Sequence, residues 1–189
     1  DKKPYPCCRS THCAIDAGIE LREQEKLQWE RIRKVEIKTY LVGLKQCGLA
    51  ESSREPKLPT EAKFSTPYTA ACALIYGKVG LEDFEPAAIA RPQVRTLMRK
   101  IKVTEDEELT GRYPSHWGCR MEVEMEDGRI FRKEIQDASG SADAPLTAKQ
   151  ILAKVKSCCA AYDGQWVEDV FEEILNLEEL ETIPELVWP

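Results

Sequence analysis

The sequence predicts an α+β fold: helices packed on a small, mainly antiparallel sheet, followed by a helical C-terminal segment. Three observations carry this expectation. Apolar residues recur at helical spacing in Ala14, Ile15, Gly18 and Ile19, and again in Tyr68, Ala71, Cys72 and Ile75. The period shortens to two in Val35, Ile37, Thr39 and Leu41, and in Met121, Val123 and Met125. Past the small-residue linker Gly140–Pro145 only helical patterns remain.

The elements follow in order. Ser10 or Thr11 is placed to cap a helix that starts near His12, and the charged stretch Arg22–Lys26 continues or ends it. A half-buried strand is expected over Arg33–Val42, with Lys34, Glu36, Lys38 and Tyr40 on its polar face. Gly43, Gly48 and Ser52–Pro59 read as a loop. A second helix spans Ser65–Tyr76, with Ser65 as N-cap, Pro67 in the first turn and Gly77 as the stop. Pro92 opens a third helix whose inward residues are Val94, Leu97, Met98 and Ile101, and a short strand follows at Lys102–Thr104. Asp127-Gly128 joins the Met121–Met125 strand to one at Ile130 as a hairpin. Thr147 caps a helix carrying Ile151, Leu152 and Val155, and another begins near Trp166 with Val167, Val170, Phe171, Ile174 and Leu175. These two tail helices cannot enclose a core alone, so their apolar stripes need a partner. The expected division is residues 1–140 as the α+β unit and 145–189 as the helical tail.

Composition narrows the classes. At 189 residues, 42% hydrophobic and 32% charged, the chain suits one domain or one domain with an attached helical segment. It has no apolar run near 18 residues and no charged-then-apolar leader, so no membrane span is expected and a cytoplasmic location is; a cut fragment would have lost a leader. Eight cysteines occur without a C-x-x-C and in apolar contexts, and read as reduced, mostly buried thiols. Residues 1–102 carry 19 Lys+Arg against 13 Asp+Glu, and residues 103–189 carry 8 against 20. The overall charge of −6 and the lack of a dense basic run argue against nucleic acid as a partner.

The chemistry concentrates in Lys3-Pro4-Tyr5-Pro6-Cys7-Cys8-Arg9-Ser10-Thr11-His12. Two prolines stiffen the run and favour an extended course. Arg9 offers a planar fork for a carboxylate and Lys3 a point charge. Ser10, Thr11 and the helix start add hydroxyls and free N–H groups for an anion. The set reads as a carboxylate site. A capped, packed lead-in to a helix is the plain alternative. A zinc site from Cys7, Cys8, His12 and Cys13 lacks paired ligand spacing, so no metal is expected. Cys8 as a nucleophile beside His12 lacks a third, orienting residue. His116, in Pro114-Ser115-His116-Trp117, reads as a loop residue.

These blocks, in order, resemble the MmgE/PrpD family. Lys3-Pro4-Tyr5-Pro6 through His12, with Ala14-Ile15-Asp16-Ala17, looks like the family's segment between its helical domain and its lid. Glu61-Ala62-Lys63-Phe64-Ser65, Tyr68 and Ala70–Leu74 look like its next block. Arg91-Pro92-Gln93-Val94 with Leu97, the Asp127-Gly128-Arg129 hairpin and Ala144-Pro145-Leu146-Thr147 look like later ones. The resemblance implies a cofactor-independent lyase or isomerase for a small di- or tricarboxylate: 2-methylcitrate dehydratase, cis-aconitate decarboxylase and iminodisuccinate epimerase are members. It implies a homodimer, residues 1 to about 140 as a lid, and about 145–189 as helices returning to a helical domain whose N-terminal part is absent here. The isolated chain is then expected to be inactive. Lys3 matches an active-site lysine and Tyr68 a tyrosine lining the site. Cys8 departs from the pattern, since it falls where the decarboxylase and dehydratase branches have a catalytic histidine. The implied catalytic residues are Lys3, Cys8 and Tyr68, with Tyr5, Arg9, Ser10 and His12 binding substrate. A binding module that kept the scaffold and lost the chemistry is the other expectation.

Overall fold

A computed structural model describes residues 1–179; of the expected 145–189 tail, residues 180–189 lie outside the described residues. The chain forms two compact units, Asp1–Pro145 and a second that starts at Leu146. In the first, a tight turn over Arg9–Thr11 leads into α1 (His12–Glu25) and β1 (Ile32–Thr39). Then come α2 (Leu41–Cys47), α3 (Glu51–Arg54), α4 (Pro59–Lys63), α5 (Thr66–Tyr76), α6 (Pro86–Ile89) and α7 (Pro92–Met98). β2 (Ile101–Glu105), α8 (Glu107–Arg112), β3 (Cys119–Met125) and β4 (Ile130–Ile135) complete it. The second unit carries α9 (Ala148–Cys158) and α10 (Gly164–Leu175). The fold is α+β, as the sequence predicts.

The sheet has the order β2-β1-β3-β4. β1 runs parallel to β2 and antiparallel to β3, and β3 and β4 form the antiparallel hairpin. In β1 the residues Ile32, Val35, Ile37 and Thr39 are buried. Ile32 and Val35 share a face despite their odd separation because the register with β3 shifts between Ile32 and Lys34. The outer face is charged and laced by ion pairs: Arg120 meets Glu134 at 2.9 Å and Asp106 at 2.8 Å, and Arg132 meets Glu122 at 2.7 Å.

The inner face packs on α1, which lies between the β3–β4 hairpin and α5. Every residue of α5 from Thr66 to Ile75 is buried, so this is a core helix with no wet face. Small residues let the two helices approach: a Cβ placed on Gly18 would stand 3.1 Å from the Ala73 Cβ. The expected caps of α5 are present, with Ser65 Oγ accepting from Tyr68 N at 3.1 Å and Gly77 in a left-handed conformation at φ 69°. Thr147 and Gln150 form the reciprocal cap of α9, and Asp163 caps α10, which starts at Gly164, two residues before Trp166.

Three expectations are corrected. The first strand ends at Thr39 rather than Val42. Tyr40 is fully buried, stacks on Tyr113 at a ring separation of 4.9 Å and starts α2 by accepting from Leu44 N. The stretch expected as a loop holds α2, α3 and the start of α4. Leu41, Leu44 and Cys47 recur at a spacing of three, so a helical period was present there beneath two glycines. Thr11 does not cap α1 with its side chain; its hydroxyl donates to the Cys8 carbonyl at 2.9 Å. No helix among the described residues is long and apolar enough to cross a membrane.

Ile37, fully buried at the centre of the sheet, is a direct probe of this packing. Ile37→Ala is expected to lower the unfolding free energy by about 2–5 kcal/mol in a urea titration with unchanged slope.

Candidate functional site

The opening segment bends at residues 4–7 instead of running straight. It is held from several directions. Lys2 N donates to Gly140 O at 2.8 Å and Cys8 N to Lys63 O at 2.9 Å. The Tyr5 hydroxyl donates to Asp16 Oδ1 at 2.5 Å, and Ser139 N donates to Asp16 Oδ2 at 2.7 Å. Asp16 is a carboxylate on the buried side of α1. Burial raises its pKa, and the bonds from Tyr5 and Ser139 pull the other way. Burial, reinforced by Asp16, pushes the Tyr5 phenol well above its ordinary range.

Arg9 is turned inward onto the chain itself. Its guanidinium donates to Ser139 O at 2.8 Å and to Ala138 O at 3.1 Å, meets His12 Nδ1 at 3.0 Å, and pairs with Asp1 at 3.3 Å. Those contacts occupy the fork expected to grip a carboxylate, and make Arg9 a clamp on the 138–139 backbone. His12 is fully buried, with its ring edge-on to Tyr5 at 5.1 Å. Ser10 is also buried. Its hydroxyl donates to Gln46 Oε1 at 2.8 Å and accepts from Tyr40 at 2.9 Å. Lys3 is exposed, and its ammonium lies 3.4 Å from the Cys7 carbonyl.

The thiols divide sharply. A hydrogen bond from Cys47, at the end of α2, brings Cys8 down to about 6; burial opposes this, and Ser10 and Lys3 assist it. The same bond, together with burial, drives Cys47 far upward. Burial lifts Cys7 to about 12. The half-buried Cys8 is therefore the thiol set to ionise more readily, and its neighbour in sequence the more resistant one. The zinc alternative gains no support: among the described residues Cys7, Cys8, His12 and Cys13 do not converge as a ligand cluster.

Tyr68 belongs to a different environment. It is fully buried on α5, its ring lies 6.0 Å from that of Phe84, and its hydroxyl donates to the Asp83 carbonyl rather than to Lys3, Cys8 or Arg9. The structure thus gathers Lys3, Tyr5, Cys8, Arg9, Ser10 and His12 around the start of α1. It adds four partners that the sequence reading passed over: Asp16, Tyr40, Gln46 and Cys47. Asp16 carried a signal, since it lies among Ile15, Ala17 and Gly18 on a stretch otherwise destined for the core. Cys47 carried none beyond its helical spacing from Leu44.

This geometry defines an α+β domain that presents an exposed ammonium and a half-buried thiol at the start of its central helix, braced from behind by buried polar groups. The family model for the MmgE/PrpD C-terminal domain matches residues 5–179, and the chain belongs to the MmgE/PrpD family. Among its relatives, the cis-aconitate decarboxylase-like protein oryM of Aspergillus oryzae is 26% identical over 98% of this chain and 39% of its own length. Human cis-aconitate decarboxylase is 24% identical over 95% of this chain and 37% of its own length. The Aspergillus terreus cis-aconitate decarboxylase is 24% identical over 98% and 39%. The chain thus spans less than two-fifths of the length of the curated relatives it matches.

Two outcomes follow. Alkylation of Cys8 by iodoacetamide, followed by peptide mass spectrometry, is expected to rise with a midpoint near pH 6, with Cys7 unreactive at neutral pH; Cys47→Ala shifts the midpoint upward. Arg9→Lys keeps the charge but loses the two-pronged grip on Ala138 and Ser139. It is expected to cost about 1–3 kcal/mol of stability, read in thermal or urea unfolding.

Proposed function

We propose that this chain is the lid and returning helices of a cofactor-independent lyase or isomerase that moves a proton at a carbon next to a carboxylate. The substrate is a small di- or tricarboxylate, with cis-aconitate the first to try given the relatives' names. The reading includes a cytoplasmic homodimer and an N-terminal helical domain that supplies the rest of the site. Lys3 neutralises a substrate carboxylate, which lowers the cost of enolate-like charge as the proton leaves. Cys8, as thiolate, takes that proton, and the resulting thiol returns it in the second half of the reaction.

The observation that carries this reading is the exposed Lys3 ammonium and the half-buried Cys8 thiol set at the start of α1, where a hydrogen bond from Cys47 lowers the Cys8 pKa. A cysteine at the family's histidine position is a poor base at its ordinary pKa of about 8.5, and a serviceable one near 6. Arg9, Tyr5 and His12 then act through placement. Arg9 and Tyr5 fasten the segment, and His12 packs against both. Tyr68 supports the core under α5 and takes no part in proton transfer. The competing reading is a binding module that retained the scaffold. It is favoured by the same burial of Tyr68 and the same commitment of Arg9 to the backbone.

The test is turnover of cis-aconitate, 2-methylcitrate and iminodisuccinate by the full-length protein and by this chain alone. The full-length protein is expected to convert one of them and the chain alone none. Lys3→Ala should lower kcat/KM about 10²–10³-fold, and Cys8→Ala should remove the acid limb of the pH profile near 6. Equal turnover by the isolated chain would overturn the need for a second domain. A full-length protein that binds these acids without converting them would establish the binding module instead.

A further inference from the structure

We propose that His116, Asp137 and Asp143 form a binding site for one divalent transition-metal ion of the Mn²⁺ or Zn²⁺ class. His116 stands in the turn before β3, Asp137 just past β4, and Asp143 six residues further on. One imidazole nitrogen and one oxygen from each carboxylate all lie within 4.8 Å of one another. His116 Nδ1 is 2.8 Å from Asp137 Oδ2. Such ions hold nitrogen and oxygen at about 2.0–2.2 Å, which sets neighbouring donors about 3.0 Å apart in an octahedron and about 3.4 Å apart in a tetrahedron. The His116–Asp137 edge is therefore already close to ligand spacing. Asp143 is exposed, and its carboxylate oxygen lies within 4.8 Å of the other two donors. The Gln136 amide, 3.3 Å from the same imidazole nitrogen, is exposed and able to swing aside.

Charge points the same way. The two carboxylates converge with the imidazole, and Asp137 pairs with His116. Two like charges brought together in this way gain most from a dication. The donor set of one nitrogen and two oxygens selects a first-row transition ion over Ca²⁺ and Mg²⁺, whose preferred ligands are all oxygen. The rim is half-exposed, which leaves positions for water.

The placement gives the ion a task. Asp137 and Asp143 flank the backbone that Arg9, Asp16 and Lys2 bind: Ala138 O, Ser139 O, Ser139 N and Gly140 O. An ion held by both aspartates and by His116 closes this loop on itself and fixes the surface against which the opening segment rests. The inference rests on the loop alone and stands whether or not the chain takes part in catalysis.

The experiment is a titration of the full-length protein, stripped by a chelator, with Mn²⁺ read by electron paramagnetic resonance and with Zn²⁺ read by calorimetry. Wild type is expected to bind an ion that Asp143→Asn binds at least tenfold more weakly, with His116→Gln behaving likewise and Asp127→Asn, on the exposed hairpin turn, unchanged. Mn²⁺ should slow proteolytic cleavage within residues 137–145 in wild type and not in Asp143→Asn, and Ca²⁺ should bind at least tenfold more weakly than Mn²⁺. If His116→Gln fails to fold, Asp143→Asn on the exposed loop decides the matter. Equal Mn²⁺ affinity in wild type and Asp143→Asn, or no binding of either ion at millimolar concentration, would overturn the site.

Discussion

A single buried carboxylate, Asp16, joins parts of the chain that are remote in sequence. One oxygen takes the Tyr5 hydroxyl and the other takes the Ser139 amide, so the opening segment, α1 and the loop after β4 meet at one side chain. A buried carboxyl group is costly unless its oxygens are hydrogen-bonded. Here the cost of leaving Asp16 unsatisfied becomes the force that keeps both partners in place. Arg9 repeats the design from the other direction, gripping the same loop by two carbonyls. The position of α1, fixed by close packing against α5 and by the sheet beneath it, is thereby transmitted to Lys3 and Cys8, where the chemistry is expected.

Most of the architecture was legible in the sequence because its signals are periodic. The period-two runs at Val35–Thr39 and Met121–Met125, the Asp127-Gly128 turn, and the Ser65 and Thr147 caps each depend on a few neighbouring residues. The misread stretch begins at Tyr40, which looked like an outward-facing strand residue. Its burial depends on Tyr113 and on Ser10, and those partners are distant in sequence. The segment with site chemistry was equally visible, but the direction of each side chain was not. Arg9 reads the same in sequence whether it grips a ligand or residues 138–139. Tyr68 reads the same whether it lines a cleft or fills a core.

The cysteines show how far environment outweighs residue type. Burial holds Cys7, Cys13 and Cys119 as thiols. Cys8, one peptide bond from Cys7, has Cys47, Ser10 and Lys3 around it, and these pull its pKa down. The difference between these two neighbours comes from a second thiol, at the far end of α2, that donates to Cys8.

Both anchors on the 138–140 loop, the Arg9 fork and the Asp16 carboxylate, recognise main-chain atoms, as does the Lys2 amide at Gly140. These contacts do not read side chains, yet each position of the loop is constrained in its own way. Ala138 is buried in the core, and the Ser139 side chain adds a bond of its own to Asp16. Gly140 is limited by space, because its φ of 86° and the Lys2 carbonyl pressed against it leave no room for a Cβ. Three consecutive residues thus answer to three different demands: a small apolar side chain, a hydroxyl, and no side chain at all.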